Sequence, residues 1–324
     1  MDKHDSSPVL TSVDLGSHTG RMLIAQWVEE EAFLTPLLRR RVYIRLARDF
    51  EAPPARTIKE AAVERATRCL EEFKRIIEGF ALSYVQVVAT GIVREAANRD
   101  EVMDRFRQRT NLPVRLLSGE EEARLTGIGV CQSVDMGGNP FIAFDLGGGS
   151  TEFLLVGTQS PRAVSVPLGA ALLTERYLVA DPPRDEEMGR AKARVLEALR
   201  QSLTAHFHCD PLRLIGTGGT VTTLAALVHG IGADEISPER MNGLVLERTR
   251  LEHLFSQLST MPLAERLRMP GLDPGRADVI LGGTLAVIEI LKFFGAPEIM
   301  ISLSDLLEGV LFERLGYSLP GDIV

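Results

Sequence analysis

Phe144-Asp145-Leu146-Gly147-Gly148-Gly149-Ser150-Thr151-Glu152, running on into Phe153-Leu154-Leu155-Val156, decides the reading of this chain. An apolar run ends on a carboxylate; three glycines and a hydroxyl follow; a second apolar run opens on another carboxylate. That is a strand, a tight turn and a strand. Three consecutive glycines cost backbone entropy that an ordinary hairpin does not require. They let backbone N–H groups close on an anion, and Asp145 and Glu152 flank the turn where both can face a divalent cation on the anion's oxygens. A thinner copy stands upstream, Val13-Asp14-Leu15-Gly16-Ser17-His18-Thr19, followed by Met22-Leu23-Ile24-Ala25. Alone it reads equally as a simple hairpin or as a phosphate turn. As a partner it implies two similar half-molecules gripping one phosphate compound, with Asp14, Gly16, Ser17 and Thr19 opposite Gly147, Gly148, Gly149 and Ser150.

The chain around these phrases is long enough for two domains: 324 residues, 45% hydrophobic and 25% charged, the profile of a water-soluble globular protein. No apolar run is long enough to cross a bilayer and the polar start Met1-Asp2-Lys3-His4-Asp5 has no signal-peptide core, so a cytoplasmic protein without a membrane partner is expected. A net charge of −8 argues against nonspecific nucleic-acid binding, though a local basic lining can still serve a polyanion. The three cysteines, Cys69, Cys131 and Cys209, suggest reduced core thiols.

Strands over 9–15, 21–27 and 34–46 form a meander. A helix follows over 57–78, opened by Thr57 and Glu60 in a capping-box pattern, then a strand over 84–90, a helix over 99–109 and a strand over 114–117. The second half repeats the scheme: strands over 141–145, 152–156 and 163–166, helices over 171–178 and 186–207, a strand over 212–215, a long helix over 276–294, a strand over 298–303 and a helix over 305–315. This alternation points to α/β layers. The division falls at residues 1–124 and 125–324, with the last helix, about 305–317, free to cross back onto the first half. Ala52-Pro53-Pro54-Ala55 and Asp181-Pro182-Pro183-Arg184 read as loops.

Four further stretches carry chemistry beside plainer readings. Gly216-Thr217-Gly218-Gly219-Thr220 follows a strand and opens a helix, which presents N–H groups to phosphate or simply packs helix on strand. It matches neither the dinucleotide fingerprint nor the Gly-Lys-Ser/Thr phosphate loop. Ser118-Gly119-Glu120-Glu121-Glu122 caps a helix, and one of its glutamates can also orient a water in the cleft. Arg94, in Ala89-Thr90-Gly91-Ile92-Val93-Arg94, is a surface arginine or a fork for a terminal phosphate. Arg39, Arg41 and Arg45 fall on one face of a strand, as charged guards of a sheet edge or as a track for a long anion.

Taken in order, Val13 to Ser17, Ala89 to Arg94, Leu117 to Leu125, Asp145 to Glu152, Pro167-Leu168-Gly169, Gly216 to Thr220 and Pro270 to Asp278 resemble the exopolyphosphatase / guanosine pentaphosphate phosphohydrolase (Ppx/GppA) family in its short, two-domain form. The resemblance implies an α/β fold of two similar actin-like (ribonuclease H-like) domains with a cleft between them. It implies release of orthophosphate from polyphosphate or guanosine pentaphosphate with Mg2+, and is compatible with a homodimer. It puts the catalytic carboxylate on Glu122, with Glu121 as the fallback, the phosphate-binding arginine on Arg94, the metal on Asp145 and Glu152, and phosphate contacts on the glycine turns, Gly216, Gly218 and Gly219 among them. The first hairpin departs from the family pattern, with His18 where an asparagine is usual. Two rivals share the motifs: an actin-like ATPase or kinase, and a nonhydrolytic sensor of a guanosine alarmone.

Overall fold

The computed structural model describes residues 7–50, 55–158, 161–203, 207, 213–232 and 235–320. The Ala52–Pro54 part of the first expected loop, Cys209 and Leu212 lie outside them. The first half runs β1 (Val9–Leu15), β2 (Thr19–Val28), β3 (Phe33–Tyr43), α1 (Glu60–Ile77), β4 (Tyr84–Ala89), α2 (Ile92–Glu95), α3 (Arg99–Thr110), β5 (Val114–Leu116) and α4 (Gly119–Cys131). The second runs β6 (Phe141–Leu146), β7 (Thr151–Val156), β8 (Arg162–Val166), α5 (Ala170–Tyr177), α6 (Asp185–Ser202), β9 (Leu214–Thr217), α7 (Gly218–His229), α8 (Pro238–Met241), β10 (Val245–Glu247), α9 (Arg248–Thr260), α10 (Leu263–Arg266), α11 (Ile280–Phe294), β11 (Glu298–Ile301) and α12 (Leu306–Arg314).

The two sheets are built to one plan. Their strand orders are β3-β2-β1-β4-β5 and β10-β11-β9-β6-β7-β8. In each, an antiparallel meander (β1–β2–β3, β6–β7–β8) is followed by a parallel strand on the far side of its first member, β4 beside β1 and β9 beside β6. Parallel neighbours need a crossover, which α1 supplies in the first half. The doubled phrase read from the sequence is the β1–β2 and β6–β7 turn of this repeated unit.

Each sheet buries one face in its own core: Phe73, Leu70, Phe106 and Ile24 in the first half, Phe144, Phe153, Leu224 and Leu285 in the second. A third core joins them, with Trp27, Leu125, Ile128, Leu154, Ile215, Leu311 and Phe312. It exists because two helices are exchanged. α4 leaves the first half and lies on β7 and β8, while α12 leaves the second and lies on β1 and β2, the two crossing each other. Residue 124 therefore falls inside α4, and Ser12 Oγ donates to the Leu307 carbonyl at 2.8 Å.

Some local expectations change. α1 starts at Glu60 with Lys59 at its N-cap and no side-chain cap. The Thr57–Glu60 box does not form because Ile58 is held in extended backbone, bridged to Phe50 and bonded to Asn98. α6 ends at Ser202 rather than 207. α11 starts at Ile280 rather than 276. Residues 230–275, which the sequence left unassigned, hold α8, β10, α9 and α10.

Candidate active site

The two glycine turns meet. A Cβ on Gly148 would stand 2.8 Å from the Cβ of His18, and one on Gly149 would stand 2.5 Å from Ser17 Oγ. Only glycine permits this approach. The turns close a small cavity of about 70 Å3, lined by Asp14, Gly16, Ser17, His18, Thr19, Arg21, Thr90, Glu122, Asp145, Gly147, Gly148, Gly149, Ser150, Glu152, Gly218, Gly219 and Arg276. The N–H of Gly16 bonds Thr19 O and that of Gly147 bonds Ser150 O, each at 3.0 Å, closing its own turn. Among the described residues the N–H groups of Ser17, His18, Gly148, Gly149 and Ser150 bond no protein acceptor. The first N–H groups of α7, at Gly218 and Gly219, have no intrahelical partner either. Unpaired buried amides are costly, and a helix N-terminus beside two such turns is a cradle for an anion.

Four carboxylates face this cradle. Asp145 and Glu152 stand directly opposite in the β6–β7 ladder, one strand either side of the triple glycine. Burial pushes Asp145 up to about 8, with Asp305 repelling its charged form as a second cause. Burial likewise raises Glu152 and Glu122, and raises Asp14 against the pull of Arg21. Among the described residues no three carboxylates or histidines are arranged to cage a metal alone. The donor set instead suits Mg2+, which takes one or two carboxylates, keeps waters and completes its shell on substrate phosphates. A buried carboxyl whose pKa is raised above its unfolded value gives a contribution that is complete below about pH 4 and lost as pH rises through the folded value. Metal-free protein is therefore expected to lose melting temperature between about pH 4 and 8, with Mg2+ restoring it at the upper end. Asp145→Asn should flatten the profile. Thermal melts across that range with EDTA or Mg2+ make the check, and a metal-independent, pH-flat melt contradicts it.

The two glutamates of the α4 cap separate cleanly. Glu121 Oε2 accepts from Ser118 N at 2.8 Å, its own N–H donates to Ser118 Oγ at 3.1 Å, and Arg115 donates to its other oxygen at 2.6 Å. The Ser118 N–H, then Arg115, hold Glu121 down to about 2. It does not line the cleft, so the fallback to Glu121 is corrected: its oxygens are committed to the cap. Glu122 is 8% exposed and lines the cleft. Glu121→Ala is expected to cost about 1 kcal/mol of stability with phosphate release at wild-type rate; a melt and an assay on one preparation test both.

Arg94 stands beside Glu122. It is not in the cleft wall but behind it, donating to Glu122 Oε2 at 2.6 Å and to the Leu117 carbonyl and Ser165 Oγ at 3.3 Å each, with Glu152 at 3.9 Å. There it holds the glutamate. Gly216 lies within β9, where a Cβ would press on Ile299, Val221 and Phe144; its role is packing, and of the three glycines only Gly218 and Gly219 line the cavity.

Two cleft arginines were missed. Arg21 donates to Asp14 at 2.8 and 3.1 Å and pairs with Asp305. Arg276 is buried, its Nε unpaired, and lies so close over Gly219 that a Cβ there would strike its guanidinium. Burial, then Arg41, brings Arg276 down to about 10, so it stays a cation at neutral pH. Period-two alternation from Asp14 could have pointed to Arg21 only once the β1–β2 register, Asp14 opposite Arg21, was known. His18 is a strut: its Nε2 lies 3.2 Å from the Gly275 carbonyl and its ring edges onto Tyr43.

The family model described as the Ppx/GppA phosphatase family matches residues 23–318. This chain belongs to that family. It is 30% identical to exopolyphosphatase 2 of Mycobacterium tuberculosis over 95% of its own length and 98% of the relative's. It is 28% identical to the bifunctional 3-dehydroquinate synthase/phosphatase of Fusobacterium nucleatum, whose length it spans by about half, 47%. Among solved structures it is similar to the Ppx/GppA family member of Aquifex aeolicus, with a TM-score of 0.78 and 29% identity over 95% of this chain and 97% of that one. It is also similar to an exopolyphosphatase of Cytophaga hutchinsonii, at 0.85 and 27% over 95% and 98%. The fold is accordingly the two-domain actin-like α/β fold. Among the described residues no helix is long and apolar enough to cross a membrane.

Proposed function

We propose that the protein releases orthophosphate from the end of inorganic polyphosphate or of guanosine pentaphosphate, assisted by Mg2+, with Glu122 as the group that aligns the attacking water. The observation that carries this reading is the meeting of two glycine turns around a buried glutamate held by an arginine. The family membership and the exopolyphosphatase relative support the reaction class. The free amides of both turns and of α7 bind the terminal phosphoryl group. Arg21 and Arg276 neutralise its oxygens and those of its neighbour. Asp145 and Glu152 would hold Mg2+, which offsets charge on the phosphate oxygens. Glu122, held by Arg94 and raised by burial above the ordinary carboxylate range, is the group that takes a proton from the attacking water. Phosphate release from polyphosphate, guanosine pentaphosphate and ATP, side by side with and without Mg2+, tests the proposal. Transfer to an acceptor in place of free phosphate, or tight alarmone binding with no release, would overturn it.

A further inference from the structure

The cleft does not end at the glycine turns. Arg21, Gly218, Gly219 and Arg276 also line a second, wider groove of about 480 Å3, which continues past Arg41 and Arg39 on β3. The strand register explains the path. Asp14 stands opposite Arg21 across β1–β2, and Arg21 stands opposite Arg41 across β2–β3, so Asp14, Arg21 and Arg41 form one row leading from the cleft to the sheet edge. Each step is about 4.8 Å. Arg39 lies two residues from Arg41 on the same face. Like charges directly opposite on neighbouring strands repel. Here each guanidinium is matched by a carboxylate from the other half of the molecule: Asp305 for Arg21, Asp273 for Arg41 and Glu308 for Arg39.

This lining selects among occupants. Aromatic faces and hydroxyls are common partners of a nucleobase, and in this groove they are engaged. Tyr43 has Arg41 and Arg45 over its ring at 5.5 and 5.9 Å and His18 at its edge, and its hydroxyl donates to Asp273. The hydroxyls of Thr222 and Thr223 donate to the Gly218 and Gly219 carbonyls. What the groove offers is a line of half-exposed guanidiniums, Arg39 and Arg41 at 33% and 40%, whose present partners are monoanions. A phosphate oxygen pair can replace a carboxylate on arginine in the same bidentate geometry.

We propose that Arg41 and Arg39 are a chain-binding subsite outside the cleft, taking internal phosphates of a long polyphosphate whose end lies at the glycine turns. Phosphates displace Asp273 and Glu308 from the guanidiniums as the chain enters. The inference rests on the polyphosphate reading above and narrows it: the protein favours long chains over short ones.

The double variant Arg39→Gln/Arg41→Gln tests it, glutamine keeping a donor for the two carboxylates. KM for long-chain polyphosphate should rise at least about tenfold with kcat little changed, while tripolyphosphate kinetics stay at wild type. Calorimetric binding of long-chain polyphosphate in EDTA should weaken by a similar factor, with a shallower dependence of affinity on salt. An unchanged KM for the long chain overturns the subsite. So does an equal loss on tripolyphosphate, or a loss confined to guanosine pentaphosphate. If the wild type releases no phosphate at all, the proposed activity fails and the binding measurement alone decides the subsite. A matching thermal melt shows that the variant is folded.

Discussion

Glu122→Gln is expected to bind substrate nearly as the wild type does and to turn it over at least about a hundredfold more slowly, the scale of losing a general base. Glutamine has the same shape, keeps an oxygen for the Arg94 guanidinium, and removes only the capacity to accept a proton. The amides of the two turns, Arg21 and Arg276 are untouched, so KM should move little. Single-turnover phosphate release with saturating polyphosphate, set against equilibrium binding of the same polymer, separates the two effects. A variant that keeps wild-type turnover removes Glu122 from the role. Arg94→Lys should give a milder version of the same signature, because lysine supplies charge but not the fork that bonds Glu122, Leu117 and Ser165 together.

Gly309→Ala is expected to destabilise the fold by about 3 kcal/mol or more, a large effect for one methyl group. At the crossing of α4 and α12 a Cβ on Gly309 would lie 1.8 Å from the carbonyl oxygen of Leu125, and one on Gly129 would lie 2.2 Å from that of Asp305. The obstacles are backbone atoms, so no rotamer change relieves the contact and the helices must part. Parting them opens the shared core around Leu125, Ile128, Leu311 and Phe312 and moves Asp305 and Glu308 away from Arg21 and Arg39. Chemical denaturation measures the loss. A midpoint within experimental error of the wild type would mean that the crossing is looser than drawn.

The sequence made the repeated hairpins legible because everything that shapes them is local. A carboxylate, a run of glycines and a hydroxyl lie within eight residues, between strands of clear apolar character. The same holds for the Ser118–Glu121 cap, which the structure keeps as a full capping box. What stayed hidden is non-local. Arg21 meets Asp305 from 284 positions away, and Arg41 meets Asp273 from 232. Neither pairing leaves a mark in either neighbourhood. Arg94 shows the same limit: its bond to Glu122, across 28 residues, could not be read from its place in the chain. Gly216 was read as part of the anion turn because a glycine-rich string does not say where the strand stops, and β9 runs on through Thr217. α9 was missed altogether: Arg248-Thr249-Arg250-Leu251 carries no recognised start signal, and the Glu247 side chain at its N-cap accepts no bond from the helix backbone.

The exchange of α4 and α12 has a consequence for how such a molecule could be taken apart. A gene cut in the loop before Phe141 would give two fragments, each holding a helix that belongs on the other's sheet and each leaving an apolar surface bare. Neither should be a self-sufficient folding unit when made alone. Synthesised together, they should find each other and restore the catalytic pocket, so that co-expression, rather than purification of the separate pieces, is the route to a working split enzyme.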